Sequence, residues 1–214
     1  MSTSRRSFLV AGIAGITGLA GAALAGRAMA ASADPAKDPD ARVDPPVFGD
    51  ENAHKRLVVW GSYTCPYTAM LIPTLERIVS DLAGAVCLEW RHFPTHEPDP
   101  ALHVLGLAFE GKHFWGFTNN VLATVLAAGG NFSGLTPPFL AALAKSEGGS
   151  IEMLNAALAD LAKWKAVRQD LLAGKLLGIN FTPGLFYNGY FLTPDGIPQD
   201  LDAFDKSLRA MLQS

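Results

Sequence analysis

The chain has 214 residues, of which 49% are hydrophobic and 17% are charged, and its formal net charge is −3. This length favours one domain, or one domain carrying an insertion, with enough apolar residues for a large core. Arg5, Arg6 and Arg27 lie in the first 30 residues together with no acid, so the remainder is more acidic than the whole. An acidic surface argues against nucleic acid or an anionic membrane as partner.

The N-terminus has the three parts of a secretory signal. Arg5 and Arg6 are followed by an apolar run to Gly26 and by small residues at 28–33. This order is typical of a cleaved signal peptide, here predicted at 1–30. The paired arginines resemble a twin-arginine signal, which implies export to the periplasm without stable membrane association after cleavage. A membrane anchor is the alternative, since the apolar run of about 18 residues nearly spans a bilayer, but its glycines favour cleavage.

The next segment leads into the first strands. Residues 31–46 are rich in Asp, Ala and Pro without an apolar period, which predicts a linker. A short edge strand is expected at 46–50. The run Leu57–Trp60 is β-branched and aromatic and predicts a buried strand. After a break at 61–64, apolar residues at helical spacing predict a helix that ends near Leu82.

The rest of the chain predicts a helical block followed by a return to the sheet. A second strand, parallel to the first, is expected at 86–93. Helical patterns with Gly and Pro breaks then predict helices at 101–110, 113–128, 138–145, 151–160 and 164–176. Two aromatic runs flank Asn188-Gly189, which is the strongest short signal of a β-hairpin. A last amphipathic helix is expected at 201–212.

Cys65 lies at the junction between the strand Leu57–Trp60 and the helix that follows. Pro66 suits the first helical turn, where its missing N–H has no partner to lose. Unpaired N–H groups and the helix dipole favour negative charge at this position. A thiol placed there is favoured as the thiolate, which is the form that attacks disulfides.

The stretch Leu57–Pro73 resembles the thioredoxin superfamily and is most similar to its DsbA-like thiol-disulfide oxidoreductases. The sequence RHFP at 91–94 also resembles that family, where it leads from the sheet into a helical insertion. The resemblance implies an α/β, thioredoxin-like fold with an inserted helical domain. The thioredoxin-like domain is expected at 47–97 and 178–214, and the insertion at 98–177. The resemblance further implies that Thr182-Pro183 is a cis proline facing the reactive cysteine.

The DsbA-like family normally has a second cysteine where this chain has Thr68, so the usual disulfide cannot form. The resemblance therefore implies a monothiol centre in which Cys65 is the nucleophile. The Thr68 hydroxyl is expected to stabilise the thiolate by a hydrogen bond. The expected substrate-binding residues are Pro66, Tyr67, Thr182 and Pro183. An apolar rim is expected from Tyr67, Phe93 and Phe181.

These features lead to the hypothesis of an exported thiol-disulfide oxidoreductase with a single reactive cysteine. It would reduce, isomerise or deglutathionylate protein or peptide thiols and disulfides through a mixed disulfide. No cofactor is expected, and glutathione or another external thiol would be the co-substrate. The first alternative is a redox-inactive, DsbA-like protein that binds peptides or assists as a chaperone-like accessory. A weaker alternative is a glutathione-dependent transferase or isomerase.

The remaining cysteine and the histidines give no second site. Cys87 lies in an apolar run and is expected to be an inert buried thiol, too far from Cys65 for a disulfide. The five histidines do not show zinc-ligand spacing with the cysteines, so no metal is expected. His92 and His96 flank a turn from which one could reach Cys65, although ordinary surface histidines are the favoured interpretation.

Overall fold

A computed structural model describes residues 43–193, 195–197 and 199–214. Its five-stranded sheet has the order β1-β3-β2-β4-β5. The strands are β1 (Val47–Gly49), β2 (Lys55–Gly61), β3 (Val86–His92), β4 (Gly184–Tyr187) and β5 (Tyr190–Phe191). β2 and β3 are parallel, and the other neighbouring pairs are antiparallel. The predicted signal peptide and residues 31–42 of the predicted linker lie outside the described residues.

Seven helices accompany the sheet within the described part of the chain. They are α1 (Pro66–Asp81), α2 (Asp99–Gly106), α3 (Gly111–Ala127), α4 (Pro137–Ser146), α5 (Ile151–Ala159), α6 (Leu161–Leu176) and α7 (Leu201–Gln213). Because α2 to α6 lie between β3 and β4, the predicted α/β fold with a helical insertion is confirmed. The exact domain boundaries stay a prediction. None of these helices is long and apolar enough to cross a membrane.

Helices α2, α3, α4 and α6 begin one to three residues earlier than the sequence pattern predicts. α6 begins at Leu161 because the Asp160 carboxylate accepts a hydrogen bond from the Ala162 N–H at 2.9 Å and caps the helix. α2 begins at Asp99 and ends at Gly106 rather than at residue 110. A β-carbon on Gly106 would lie 2.5 Å from the Tyr63 hydroxyl oxygen, so the helix approaches this ring closely.

The end of β2 is fixed by close packing against β3. The fully buried ring of Trp90 lies directly over Gly61, where a β-carbon would come within 2.6 Å of ring atom Cζ3. Such overpacking of a core is destabilising. On one side of the sheet, α1 buries Leu71, Leu75 and Ile78. The turn that follows β2 therefore starts from a rigid strand end.

The predicted hairpin is confirmed between β4 and β5. Asn188 has φ 50° and Gly189 has φ 80°. Both residues are thus in the left-handed region that a two-residue type I′ turn requires. The hairpin brings β5 and the residues after it alongside the start of β4, which follows Thr182-Pro183.

Candidate active site

Residues 62–65 form the turn between β2 and α1. The Cys65 N–H donates to the Ser62 carbonyl at 3.3 Å, and the Cys65 carbonyl accepts the first helical N–H, that of Ala69, at 3.2 Å. Cys65 is therefore the N-cap residue, with φ −94° and ψ 116°. The residue is partly exposed.

The Cys65 thiol contacts the segment that precedes β4. It donates to the Thr182 carbonyl oxygen at 3.2 Å, and the Thr182-Pro183 peptide bond is cis, as expected. α1 has no side-chain cap, so the N–H groups of Tyr67 and Thr68 lack the oxygen that usually accepts from them. Loss of the thiol proton removes the bond to Thr182. The anionic sulfur then sits at the N-cap position, from which it can accept from these N–H groups.

The other predicted residues of the Cys65 turn lie at the surface or in the core. Thr68 is fully buried, and its hydroxyl oxygen accepts a long hydrogen bond from the Ser62 N–H at 3.5 Å. In the thiol form shown here, Cys65 is bonded to Thr182 rather than to Thr68, so the stabilisation of a thiolate by Thr68 stays a prediction. Tyr67 is 56% exposed and available to a partner.

A buried hydroxyl holds the cis-proline segment in place. Thr193 is 1% exposed. The Thr193 hydroxyl accepts a hydrogen bond from the Leu185 N–H at 3.0 Å. The same hydroxyl donates a hydrogen bond to the Pro183 carbonyl at 3.3 Å. Thr182 and Pro183 are themselves buried, so the carbonyl that meets Cys65 is held by the fold.

The predicted apolar rim is only partly present. Phe93 is 5% exposed and belongs to a small core cluster with Trp60, so the expectation that it borders the site is wrong. Its ring is buried because it packs with Trp60 against Gly174 of α6. Phe181 is partly exposed, and its ring stacks on Phe191 at a centroid distance of 6.1 Å.

A buried carboxylate, not predicted as a site residue, holds the Cys65 turn. Asp99 Oδ2 accepts from the Ser62 hydroxyl at 2.6 Å and from the Thr95 N–H at 2.9 Å, and Oδ1 accepts from the Tyr63 N–H at 2.9 Å. Burial raises the pKa of Asp99, but the charge of His103 and the hydrogen bonds outweigh it, and the pKa lies below its ordinary value. Asp99 is therefore ionised near neutral pH.

The expectation of an ordinary surface histidine is wrong for His92, and His103 is buried as well. His103 is 0% exposed and His92 is 2% exposed. Burial, the neighbouring His103 and Arg91 lower the pKa of His92 well below its ordinary value. Asp99 and His103 are four residues apart and both lie on α2, a spacing that brings side chains together on a helix, but the predicted helix began only at residue 101. His96 is exposed and lies against Phe132.

Comparison with known families identifies the architecture. Residues 41–209 match the sequence family described as Thioredoxin, which is most of the chain. This protein belongs to the thioredoxin family. No curated protein matches its sequence.

Solved structures show the same fold at low identity. The thiol-disulfide exchange protein α-DsbA2 from Wolbachia pipientis has a TM-score of 0.64 and 17% identity, over 78% of this chain and 87% of that one. A protein-disulfide isomerase from Novosphingobium aromaticivorans has a TM-score of 0.62 and 18% identity, over 79% of this chain and 97% of that one. A periplasmic thioredoxin-like protein from Salmonella enterica serovar Typhimurium has a TM-score of 0.62 and 20% identity, over 86% of this chain and 94% of that one. The DsbA-like form of the thioredoxin fold, with its helical insertion, is thereby established.

The second cysteine of this thioredoxin-family chain lies away from the site. Cys87 is fully buried on β3 opposite Arg56, and both cysteines are free. Burial raises the pKa of the Cys87 thiol, and the opposing effect of Arg56 is smaller. Among the described residues, no cluster of three metal-binding side chains exists.

A separate polar cavity of about 860 Å³ lies between β3 and α6 and does not include Cys65. Charged side chains on its wall pair with each other, Arg56 with Glu89 at 2.9 Å and Arg91 with Asp170 at 3.0 Å. The first pair joins β2 to β3, and the second ties α6 to the sheet. Nothing in them identifies a ligand.

Proposed function

We propose that this protein is an exported thiol-disulfide oxidoreductase that works with one reactive cysteine. The observation that carries the proposal is the position of the Cys65 sulfur, at the start of α1 and 3.2 Å from the Thr182 carbonyl of the cis-proline segment. Membership of the thioredoxin family supports it. Two proteins of the same fold are described as a thiol-disulfide exchange protein and a protein-disulfide isomerase.

The proposed cycle has two exchange steps. The Cys65 thiolate attacks one sulfur of a substrate disulfide, so that a mixed disulfide forms and the other sulfur leaves as a thiolate. Thr68 occupies the position from which a second cysteine would release the enzyme. An external thiolate, such as that of glutathione, therefore attacks the substrate sulfur of the mixed disulfide, so that Cys65 leaves as the free thiolate and the substrate sulfur is carried away in a new disulfide.

The protein groups act by stabilising charge and by holding the substrate. The free N–H groups at the start of α1 stabilise the thiolate during both steps, with Thr68 as the proposed hydroxyl donor. An extended substrate would pair with the backbone at Thr182 and Pro183. Pro66 and the exposed Tyr67 would contact the substrate next to the sulfur.

Reduction of a peptide–glutathione mixed disulfide tests the proposal directly. In the presence of glutathione, the wild type should accelerate the reaction, and Cys65→Ala should not. Cys87→Ala is the matched control, because Cys87 is buried on the sheet and both cysteines are otherwise free thiols. Equal rates for wild type and Cys65→Ala, with the fold intact by circular dichroism, would exclude thiol chemistry.

A peptide-binding protein without redox chemistry is the second candidate. It is favoured by two exposed aromatic side chains, Tyr67 at 56% and Tyr190 at 74%, since exposed tyrosines are common in binding surfaces. This candidate predicts that Cys65→Ala still binds unfolded peptides with unchanged affinity, and that Tyr67→Ala weakens that binding. A Cys65-dependent rate in the glutathione assay would reject it as the sole function.

Export to the periplasm is part of the same proposal. The twin-arginine-like N-terminus supports it, and one protein of the same fold is described as periplasmic.

A further inference from the structure

The side chain of Tyr63 enters the helical insertion from the turn that carries Cys65. Tyr63 is the second residue of the turn 62–65 and lies two residues before the cysteine. It is fully buried, although connecting segments usually run over the surface. This aromatic side chain therefore contacts the interior of the protein and not a substrate.

Three buried rings surround the ring of Tyr63. The ring centroids lie 5.4 Å from Trp90 on β3, 4.7 Å from His103 on α2 and 6.2 Å from Phe117 on α3. Two of the three rings thus belong to helices of the insertion. Because all three are fully buried and protein interiors are close-packed, this site cannot widen without disturbing the core.

Hydrogen bonds fix both the side chain and the backbone of Tyr63. Its hydroxyl oxygen lies 2.9 Å from the hydroxyl oxygen of Thr118 on α3, which is also fully buried. Its backbone N–H donates to Oδ1 of Asp99 on α2 at 2.9 Å. Burial raises the pKa of the Tyr63 hydroxyl, so the hydroxyl stays protonated and serves as a hydrogen-bonding group.

The last residue of α2 leaves room for the Tyr63 hydroxyl because it is a glycine. A β-carbon on Gly106 would lie 2.5 Å from the hydroxyl oxygen, which is a clash. Its next neighbours, Phe114 Cε2 and Tyr63 Cζ, would lie at 3.4 and 3.5 Å, close to ordinary van der Waals contact. Since Gly106 is helical, alanine suits its backbone, and the strain would fall on the hydroxyl.

A displacement of Tyr63 would be passed on to Cys65 because the turn is short. On one side of Tyr63, β2 ends at Gly61, which close packing against β3 holds in place. On the other side only Thr64 separates Tyr63 from the cysteine, whose N–H is bonded back to the Ser62 carbonyl at 3.3 Å. A shift of the tyrosine therefore changes the direction of the turn that carries the sulfur.

We propose that Tyr63 is a positioning residue for Cys65: α2 and α3 hold its ring and hydroxyl, and this keeps the sulfur at the start of α1, opposite Thr182. Tyr63 acts through the chain, since its hydroxyl is bonded to Thr118 and the thiol to Thr182. The helical insertion thereby sets the reactivity of a cysteine that follows a strand of the sheet. The consequence for thiol exchange rests on the function proposed above.

Gly106→Ala tests this positioning without a change in the turn itself. The added β-carbon displaces the Tyr63 hydroxyl. Alkylation of Cys65 by iodoacetamide at a fixed pH should slow by about tenfold, since small displacements of reacting groups have effects of this size. Mixed-disulfide reduction should slow by a similar factor. A Cys87→Ala background leaves Cys65 as the one thiol of the chain.

Gly116→Ala is the matched control on the same insertion. Its β-carbon would meet the carboxylate end of the Glu147 side chain and not Tyr63. The alkylation rate should be unchanged in this variant. Slowing of the same size in Gly116→Ala and Gly106→Ala would overturn the proposal.

Tyr63→Phe supplies the rescue that a merely structural role would not give. Phenylalanine keeps the ring but lacks the hydroxyl, so the β-carbon added by Gly106→Ala would meet only carbon atoms, at 3.4 Å or more. In the Tyr63→Phe background, Gly106→Ala should slow alkylation by less than about twofold, because the two substitutions share one contact and are not additive. An unchanged rate in Gly106→Ala alone, or equal slowing in both backgrounds, would overturn the proposal.

Thr118 offers a second test if Gly106→Ala does not fold. Thr118→Val keeps the shape of the side chain but removes the partner of the Tyr63 hydroxyl, whereas Thr118→Ser keeps a hydroxyl. The valine variant should be alkylated more slowly than the serine variant by about threefold or more. Equal rates in these two variants would overturn the proposal.

The outcomes separate this inference from the proposed function, because iodoacetamide reports on Cys65 without a disulfide substrate. If the wild type does not reduce mixed disulfides but Tyr63→Phe rescues the alkylation rate of Gly106→Ala, the proposed function fails and the positioning stands. If the wild type reduces mixed disulfides and Gly106→Ala matches it in both assays, the function stands and the positioning fails.

Discussion

Replacement of Thr193 by valine removes the hydroxyl that holds the cis-proline segment. Valine has nearly the same shape, so packing is retained, but the Leu185 N–H loses the acceptor that lies 3.0 Å away. The site is 1% exposed, and water cannot replace the lost partner. A buried unsatisfied donor costs about 1–3 kcal/mol, and the lost bond to the Pro183 carbonyl adds about 1 kcal/mol. We expect the free energy of unfolding to fall by about 2–4 kcal/mol.

Urea unfolding monitored by tryptophan fluorescence measures this loss by linear extrapolation. Thr193→Ser is the matched control, because it keeps the hydroxyl and loses one methyl group, at a cost of about 1 kcal/mol. Mixed-disulfide reduction should fall more in the valine variant than in the serine variant, since the carbonyl of Thr182 facing Cys65 depends on this segment. A valine variant as stable as the serine variant would refute the assigned hydrogen bonds.

Three further predictions concern the reactive centre, acid stability and export. Thr68→Cys should gain oxidase activity toward a reduced, unfolded substrate, because residues three apart on a helix are neighbours and can form the disulfide that wild type lacks. The pKa of His92 is lowered in the folded state, so the unfolded state binds more protons. The free energy of unfolding should therefore decrease as the pH falls below about 6.5, by up to about 1.4 kcal/mol per pH unit. Arg5→Lys combined with Arg6→Lys should leave the precursor in the cytoplasm.

Each of these predictions has its own control. Cys65→Ala in the Thr68→Cys background should remove the gained oxidase activity, measured as disulfide formation in the substrate. The acid-dependent slope should be reduced in His92→Gln and unchanged in His54→Gln, since His54 is exposed; a slope equal to wild type in both would contradict the assignment. Normal export of the double arginine variant, seen by cell fractionation, would contradict a twin-arginine route.

The features that depend on neighbouring residues could be predicted from the sequence alone. A β-branched run followed by a turn and Pro66 is enough to place Cys65 at a strand-to-helix junction, because strand and helix periodicities are local. Asn188-Gly189 likewise predicted its hairpin, since these residues tolerate the positive φ angles of a type I′ turn. The resemblance carried by Leu57–Pro73 then led to the overall fold and to the cis bond at Pro183.

The surroundings of the Cys65 sulfur depend on how distant parts of the chain pack together. The Cys65 thiol donates a hydrogen bond to the carbonyl of Thr182, 117 residues further along the chain. The Ser62 hydroxyl donates to the carboxylate of Asp99, 37 residues further along. His103 and Phe93 have no local signal of burial, because burial depends on which elements pack over them. The hydrogen bonds from Ser62 and Tyr63 to Asp99 depend on the distance between the turn and α2, and a linear sequence does not contain this distance.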